Sequence, residues 1–177
     1  VARLCFHTPP RHGFTYPTNP RVRKGLTVSM PPATRFTAVY AAMTAAHHVG
    51  DYLLQTDHQA DHKAASRDRA DGTAVSEVES WAANQTHVAG YHAAQLAFVA
   101  LAAKSLGLRL SPGRLAAGVA FSWITHSVID RRWPVRLWMT RTGSSGFYQV
   151  GGAAHADQAM HHAALFAAAL LASGGDR

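Results

Sequence analysis

The chain predicts an all-α fold: a bundle of four main helices with one or two short connecting helices and a disordered N-terminal tail. Three observations carry that prediction. Long apolar stretches alternate with polar or Gly/Pro-rich breaks, helix start and stop signals fall at those breaks, and no run alternates as a half-buried strand would. A length of 177 residues allows one domain with a real core.

Residues 1–33 read as a basic, Pro-rich tail, containing Pro9, Pro10, Pro17, Pro20, Pro31 and Pro32 and no hydrophobic periodicity. Met30 is the first methionine, so the expected start of translation lies there and the preceding residues are expected to be an untranslated upstream reading frame. The formal net charge of +7 is concentrated in the same stretch, because residues 1–35 hold 6 basic residues and no acid. Removing those 6 from the 17 Lys and Arg leaves 11 against 10 acids, so the body is close to neutral. A basic excess confined to a tail gives little support to a nucleic-acid groove. Cys5 is the only cysteine and lies in the tail, which excludes disulfides and thiolate chemistry for the body.

The bundle is expected over residues 34–173. Its first helix is predicted from near Thr34, after Pro31-Pro32, to about Thr56. The polar segment from Asp57 reads as a short helix running into a loop that ends at Gly72, with His58 and His62 on a solvated face. Ser76 and Glu79 form an S-x-x-E capping box, opening a second long helix that stops at Leu106 before Gly107. His87 and Tyr91 share one face of it, whereas His92 reads as a packing or surface histidine. Ser111-Pro112 supplies an N-cap and a first-turn proline for a third helix ending near Asp130. The segment from Arg131 to Gly143 reads as a short basic amphipathic helix, with Trp133, Leu137 and Trp138 on a docking or membrane-surface face. Gly143 to Gly152 reads as a loop, and a last helix from near Asp157 ends at Ser173.

Some apolar runs approach the roughly 20 residues that span a bilayer. They are rich in Ala and His, mean hydropathy is only −0.08, and every connection is basic, which disagrees with a simple alternating topology. A compact bundle, soluble or peripherally attached to a membrane surface, is the expectation. With no signal-peptide pattern before Phe36, the expected location is cytoplasmic or associated with an inner membrane, not secreted.

The chemistry lies in three i,i+4 pairs placed inside apolar segments. His47, Asp51 and Gln55 recur every four residues, His126 stands four before Asp130, and Asp157 stands four before His161. Such spacing turns only about 40° per step, so each set shares one helix face. Burying an unpaired charge costs several kcal/mol, so three such pairs in greasy segments are expected to meet one another, a metal or water.

The segments HHVGDYLLQTDHQADHK, THVAGYHAAQ, THSVIDRRWPVR and SSGFYQVGGAAHADQAMHH occur in this order. Together they resemble the bacterial and phage family known as domain of unknown function 3307, over roughly residues 36–172. Carried over position by position, the resemblance implies a functional set of His47, Asp51, Gln55, Lys63, His87, His126, Asp130, Asp157, Gln158 and His161. His48, His92 and His162 lie outside that pattern.

Imidazole and carboxylate donors without thiolate suit zinc, manganese or iron. Facing helices that each offer an acid and a histidine one turn apart build metal sites in bundle cores. The expected ligands to one or two divalent ions are His47, Asp51, His126, Asp130, Asp157 and His161. Asp51, Asp130, His87 and Lys63 are the expected catalytic residues, His87 as a further ligand or proton shuttle. Gln55 and Gln158, with Lys63, would orient or neutralise a small anionic substrate such as a phosphoester. The leading expectation is therefore a metal-dependent hydrolase. The alternatives are metal binding without turnover, a membrane-associated protein whose polar residues form a structural network, and, last, a transcriptional regulator. No G-x-S-x-G elbow, P-loop or G-x-G-x-x-G fingerprint occurs.

Overall fold

The computed structural model describes residues 30–64 and 74–174. Most of the expected tail, Cys5, and the Arg67–Gly72 part of the expected loop lie outside these residues. The described chain is all-α, with helices α1 (Pro32–His48), α2 (Asp57–His62), α3 (Glu77–Leu106), α4 (Pro112–Ile129), α5 (Trp133–Arg141), α6 (Ser145–Phe147) and α7 (Ala153–Ser173). Helices α1, α3, α4 and α7 are the four main ones. Helix α7 packs along α4 and α1, and α1 also packs on α3.

Each main helix buries a row of residues spaced four apart, the ridge that helices interlock when they pack. The rows are Val39, Met43, His47 and Asp51 at the end of α1; Ala83, His87, Tyr91, Gln95 and Val99 on α3; Gly118, Ser122, His126 and Asp130 on α4; and His161, Leu165, Ala169 and Ser173 on α7. The rows of α1, α4 and α7 are apolar or small toward one end and ionisable toward the other, and that of α3 holds His87, Tyr91 and Gln95 between Ala83 and Val99. One end of the bundle interior is therefore a hydrocarbon core of Val39, Met43, Val99, Leu165, Ala168 and Ala172, joined by Phe36, Leu115 and Phe121. Close approach of α4 to α7 depends on Gly118, where a Cβ would lie 2.7 Å from the Ala168 carbonyl oxygen and 2.8 Å from the Ala172 Cβ.

The helix signals act as read at several ends. Pro32 opens α1, the Ser76 hydroxyl accepts the Glu79 N–H, and Gly107 closes α3 in the left-handed region at φ 65°. Three boundaries differ from expectation. Helix α1 passes at Val49 into a five-residue π-helical turn ending at Leu53, so Gln55 lies beyond the helix rather than on its face. The wider π turn lets Gly50 abut Tyr91, where a Cβ would come 2.7 Å from Tyr91 Cδ2 and 3.1 Å from its Cα. The stretch expected to be a loop before α7 instead coils into α6 and a second π turn, Tyr148–Gly152. Helix α7 starts four residues earlier than expected, which moves Asp157 from the helix terminus into its second turn.

His62 is another correction. His58 is exposed as read, but His62 is buried where α2 rests on α3, with Nε2 3.4 Å from Glu79 Oε1. Helix α5 buries Val135 and Met139 and exposes Trp133, Leu137 and Trp138 beside Arg136 and Arg141, as the amphipathic pattern implies. Among the described residues no helix is long and apolar enough to cross a membrane.

Candidate metal centre

Where the polar parts of the four rows meet, the ionisable side chains converge. His87 Nε2 of α3 and His126 Nε2 of α4 lie 3.1 Å apart. Asp51 Oδ1 is 3.1 Å from the first nitrogen and 3.4 Å from the second. Asp130 Oδ2 is 3.4 Å and 3.2 Å from the same two atoms. Two triangles thus share the nitrogen–nitrogen edge, every side between 3.1 and 3.4 Å. Ligand bonds of about 2.0–2.1 Å place tetrahedral donor atoms about 3.3 Å apart, so each triangle has the dimensions of one face of a zinc-type site. All four side chains are at most 7 % exposed.

Protons on His87 Nε2 and His126 Nε2 can answer Asp51 and Asp130 in turn, but they crowd two hydrogens across the 3.1 Å nitrogen–nitrogen edge. A ring nitrogen carries either one hydrogen or one lone pair, yet His87 Nε2 faces Asp51, Asp130, His126 and also Lys63 Nζ at 3.3 Å. Donating to a carboxylate leaves nothing to accept from the ammonium, and accepting from it takes the His87 hydrogen away from Asp51. Asp130 Oδ2 and His161 Nε2 are buried without a hydrogen-bond partner. A cation among lone pairs resolves what a hydrogen-bond network here leaves frustrated.

Protonation states favour ligation. Burial opposes charge on Asp51 and Asp130, but His87 against Asp51, His126 against Asp130 and the surrounding positive groups overrule it and hold both carboxyls well below the usual range. Burial pushes His126 down, outweighing the Asp130 contact, and so keeps the ring neutral. His161 is raised: burial opposes its charge, but the Asp157 hydrogen bond and Asp130 prevail. Its Nδ1 donates to the Asp157 backbone oxygen at 3.0 Å, which in the neutral ring leaves the lone pair on Nε2, 3.6 Å from Asp130 Oδ1.

His47 behaves differently. The Asp157 carboxylate only accepts, so the Gln158 amide nitrogen must face it, at 3.5 Å. The Gln158 Oε1 then accepts from His47 Nε2 at 3.0 Å, and His47 Nδ1 accepts from the Tyr91 hydroxyl at 3.2 Å. That oxygen in turn accepts from Gln95 Nε2 at 2.6 Å. One direction of donation runs Gln95, Tyr91, His47, Gln158, Asp157. Both nitrogens of His47 are engaged by neutral partners, and Asp51 Oδ2 lies farther away at 3.6 Å. Burial holds the His47 pKa down to about 4, consistent with a neutral link.

Lys63 follows α2, and its ammonium lies 3.0 Å from Asp130 Oδ1. The segment is pinned by a buried arginine that composition alone assigned to a basic connection. Arg131 donates to the Lys63 carbonyl at 3.2 Å, to Ser80 Oγ at 2.8 Å and to Glu77 at 3.1 Å, with its guanidinium over the Trp81 ring. A cavity of about 460 Å³ opens beside the cluster. Asp51, Gln55, Lys63, Asp130, Asp157 and Gln158 all line it, together with Arg132.

All ten expected residues therefore meet at one centre or its cavity. His87 is more central than the expected ligand list implies; His47 falls, as expected, with Asp51 and His126 in a group that could hold a metal, while its two nitrogens also engage Gln158 and Tyr91; and Asp157 acts on His161 from the cavity side, with Oδ2 3.4 Å from its Nδ1. Gln95, Arg131 and Arg132 were not assigned to the site, and Tyr91 was placed on the His87 face without a role. Tyr91 and Gln95 carried a usable signal, since they continue the four-residue row of His87. His92 is a packing histidine, buried, stacked on Trp123 and bonded to the Val88 carbonyl. The buried His/Asp groups could hold a metal ion. Searches of family models, curated proteins and solved structures find no match to the chain.

Proposed function

We propose that the protein is a metal-dependent hydrolase of phosphoesters, with one divalent ion held by His87, His126, Asp51 and Asp130 and His161 in reserve at the second Asp130 oxygen. The observation that carries this reading is the cavity, in which anion-binding cations and the carboxylates of the cluster share one wall system. Three carboxylates, Asp51, Asp130 and Asp157, set against Lys63 and Arg132 leave one negative charge, so one divalent ion turns the cavity wall positive and receptive to an anion. Lys63 also occupies the flank of Asp130 that a second ion would need. When bound, such an ion polarises a phosphoryl oxygen and acidifies water. Lys63 and Arg132 neutralise the incoming anion, Gln55 and Gln158 orient it, and the His161–Asp157 pair moves a proton at His161 Nε2.

The test is a screen of phosphomonoesters and phosphodiesters with added Zn²⁺ or Mn²⁺, on wild-type protein and on Asp130→Asn. Metal-dependent turnover lost by at least a hundredfold in the variant supports the reading. Absence of turnover with metal still bound would reduce it to metal binding alone. A second reading, a structural polar network without turnover, draws support from the unbroken donor chain through Tyr91 and His47, which fixes helix register with or without an ion. We further propose that the chain is a relative of the domain of unknown function 3307 family, supported by the order and spacing of the residues that converge here.

A further inference from the structure

A second group of donors lies away from the centre, where α2 meets the first turn of α3. His58 and His62 are one turn apart on α2, and Glu79 sits opposite on α3. One ligand atom from each lies within 4.8 Å of the others. Helix α2 is only six residues long, but it is held by a complete capping box in which Thr56 and Gln59 exchange hydrogen bonds. The two rings are consequently aligned, 4.1 Å between centroids.

The tautomer of His62 is set locally. Its Nδ1 donates to the His58 carbonyl at 2.8 Å, which in the neutral ring puts the lone pair on Nε2, the atom turned toward Glu79 Oε1 at 3.4 Å. A proton on that nitrogen or a cation between the two atoms satisfies the contact, and the second makes His62 a ligand. Backbone fixation of the remote ring nitrogen is the usual support of a metal-ligating histidine.

We propose that His58, His62 and Glu79 form a second divalent-metal site, of the zinc class, which ties α2 to α3. Two imidazoles and one carboxylate are a known zinc donor set. Closing the donors from 4.8 Å to the roughly 3.3 Å of a tetrahedral site requires movement only of His58 and Glu79, both exposed. The ion fastens the end of α2 immediately before Lys63, the residue whose ammonium reaches Asp130, so its occupancy sets how firmly that ammonium is held. None of its ligands lines the cavity, so its metal uptake can be read apart from turnover.

Zinc titration of the full chain against a chromophoric chelator tests it, with Co²⁺ absorption as a second readout and circular dichroism to confirm folding. Wild type is expected to take up two equivalents. His58→Ala and Glu79→Gln are each expected to weaken one of them at least tenfold and to leave the other intact, whereas Asp130→Asn removes the other. Retention of both equivalents in the doubly substituted H58A/E79Q chain overturns the proposal. A single wild-type equivalent that Asp130→Asn abolishes also overturns it, and leaves His62 and Glu79 as an ion pair only.

Discussion

His87 and His126 point their Nε2 atoms at each other across 3.1 Å, from helices α3 and α4, and share the same two aspartates. Two such nitrogens can satisfy one another only if one carries a hydrogen and the other a lone pair, and neither carboxylate then receives its full due. Ligation removes the conflict. The first prediction follows: adding Zn²⁺ or Mn²⁺ to metal-free protein stabilises it by about 2.7 kcal/mol at a hundredfold excess over Kd, and Asp130→Asn does not respond through this site. Thermal melts of wild type and Asp130→Asn, both in a His58→Ala background to silence the second group, give the answer. Equal shifts in the two would remove the centre from consideration.

Lys63 holds the Asp130 oxygen on the side away from His126, at 3.0 Å, with its side chain 12 % exposed. Replacing it by methionine has opposite effects on fold and on ion. The metal-free chain keeps a buried carboxylate without its cation and loses on the order of 3 kcal/mol. Metal binding gains, because a like charge beside the ion is gone, and we expect it to tighten by about tenfold, or roughly 1.4 kcal/mol. Urea melts and chelator competition on Lys63→Met measure the two separately. Weaker metal binding would mean that the ammonium organises the ligands rather than opposing the ion.

How much of this was legible in the sequence depends on whether a residue's partner lies on its own helix. His126 and Asp130, or Asp157 and His161, announce themselves through four-residue spacing, and the four main helices through their caps and apolar lengths. The centrality of His87 does not, because all its carboxylate partners come from other helices. Arg131 is similarly opaque: its burial depends on Glu77, Ser80 and Trp81, some fifty residues away in the chain. The π turn that re-aims Asp51 has no periodic signature, and only Gly50 hints at a close approach. Asp157 misled in the other direction, since an acid suits a helix start, yet here it serves His161 a turn inside α7.

Gly50 supplies the third prediction. A methyl group there meets backbone as well as ring of Tyr91, at 3.1 and 2.7 Å, so side-chain rotation cannot clear it. Gly50→Ala is expected to destabilise by about 1–3 kcal/mol through overpacking. It should also weaken metal binding, because the π turn carries Asp51 next to it. Chemical denaturation with metal titration checks both; an unchanged stability would show that α1 can slide away from α3.

Tyr91→Phe tests the donor chain. The variant keeps the ring packing but takes the only proton aimed at His47 Nδ1, leaving a buried acceptor empty and a buried Gln95 amide without its acceptor. A loss of about 1–3 kcal/mol is expected. Metal stoichiometry should hold, because the ligands proposed above are His87, His126, Asp51 and Asp130. Denaturation together with metal analysis reads both, and loss of a metal equivalent in Tyr91→Phe would place His47 among the ligands after all.

Acid sensitivity supplies the last prediction, with its sign set by the buried histidines. Burial lowers His47 and His92 from 6.5 to about 4, and lowers His126 as well. Between pH 6.5 and 4 the unfolded chain binds protons at these positions that the native chain refuses, so stability falls as pH falls. His161, raised in the fold, acts in the opposite sense: its contribution is complete below 6.5 and is lost as pH rises through its folded value. Asp51 and Asp130 are depressed, so their contribution is complete above 3.8 and drops out only at lower pH. The window from pH 7 to 5 therefore belongs to the histidines. His47 and His92 should each cost roughly 2 kcal/mol across it in metal-free protein. His92 can be tested apart from the metal cluster, since it stacks on Trp123 and its Nε2 is buried without a hydrogen-bond partner. His92→Phe keeps a flat ring in the same slot while removing the titrating group, so urea melts at pH 7, 6 and 5 should show a shallower decline in the variant. Parallel declines in the two proteins would mean that His92 finds a way to take its proton without opening the fold.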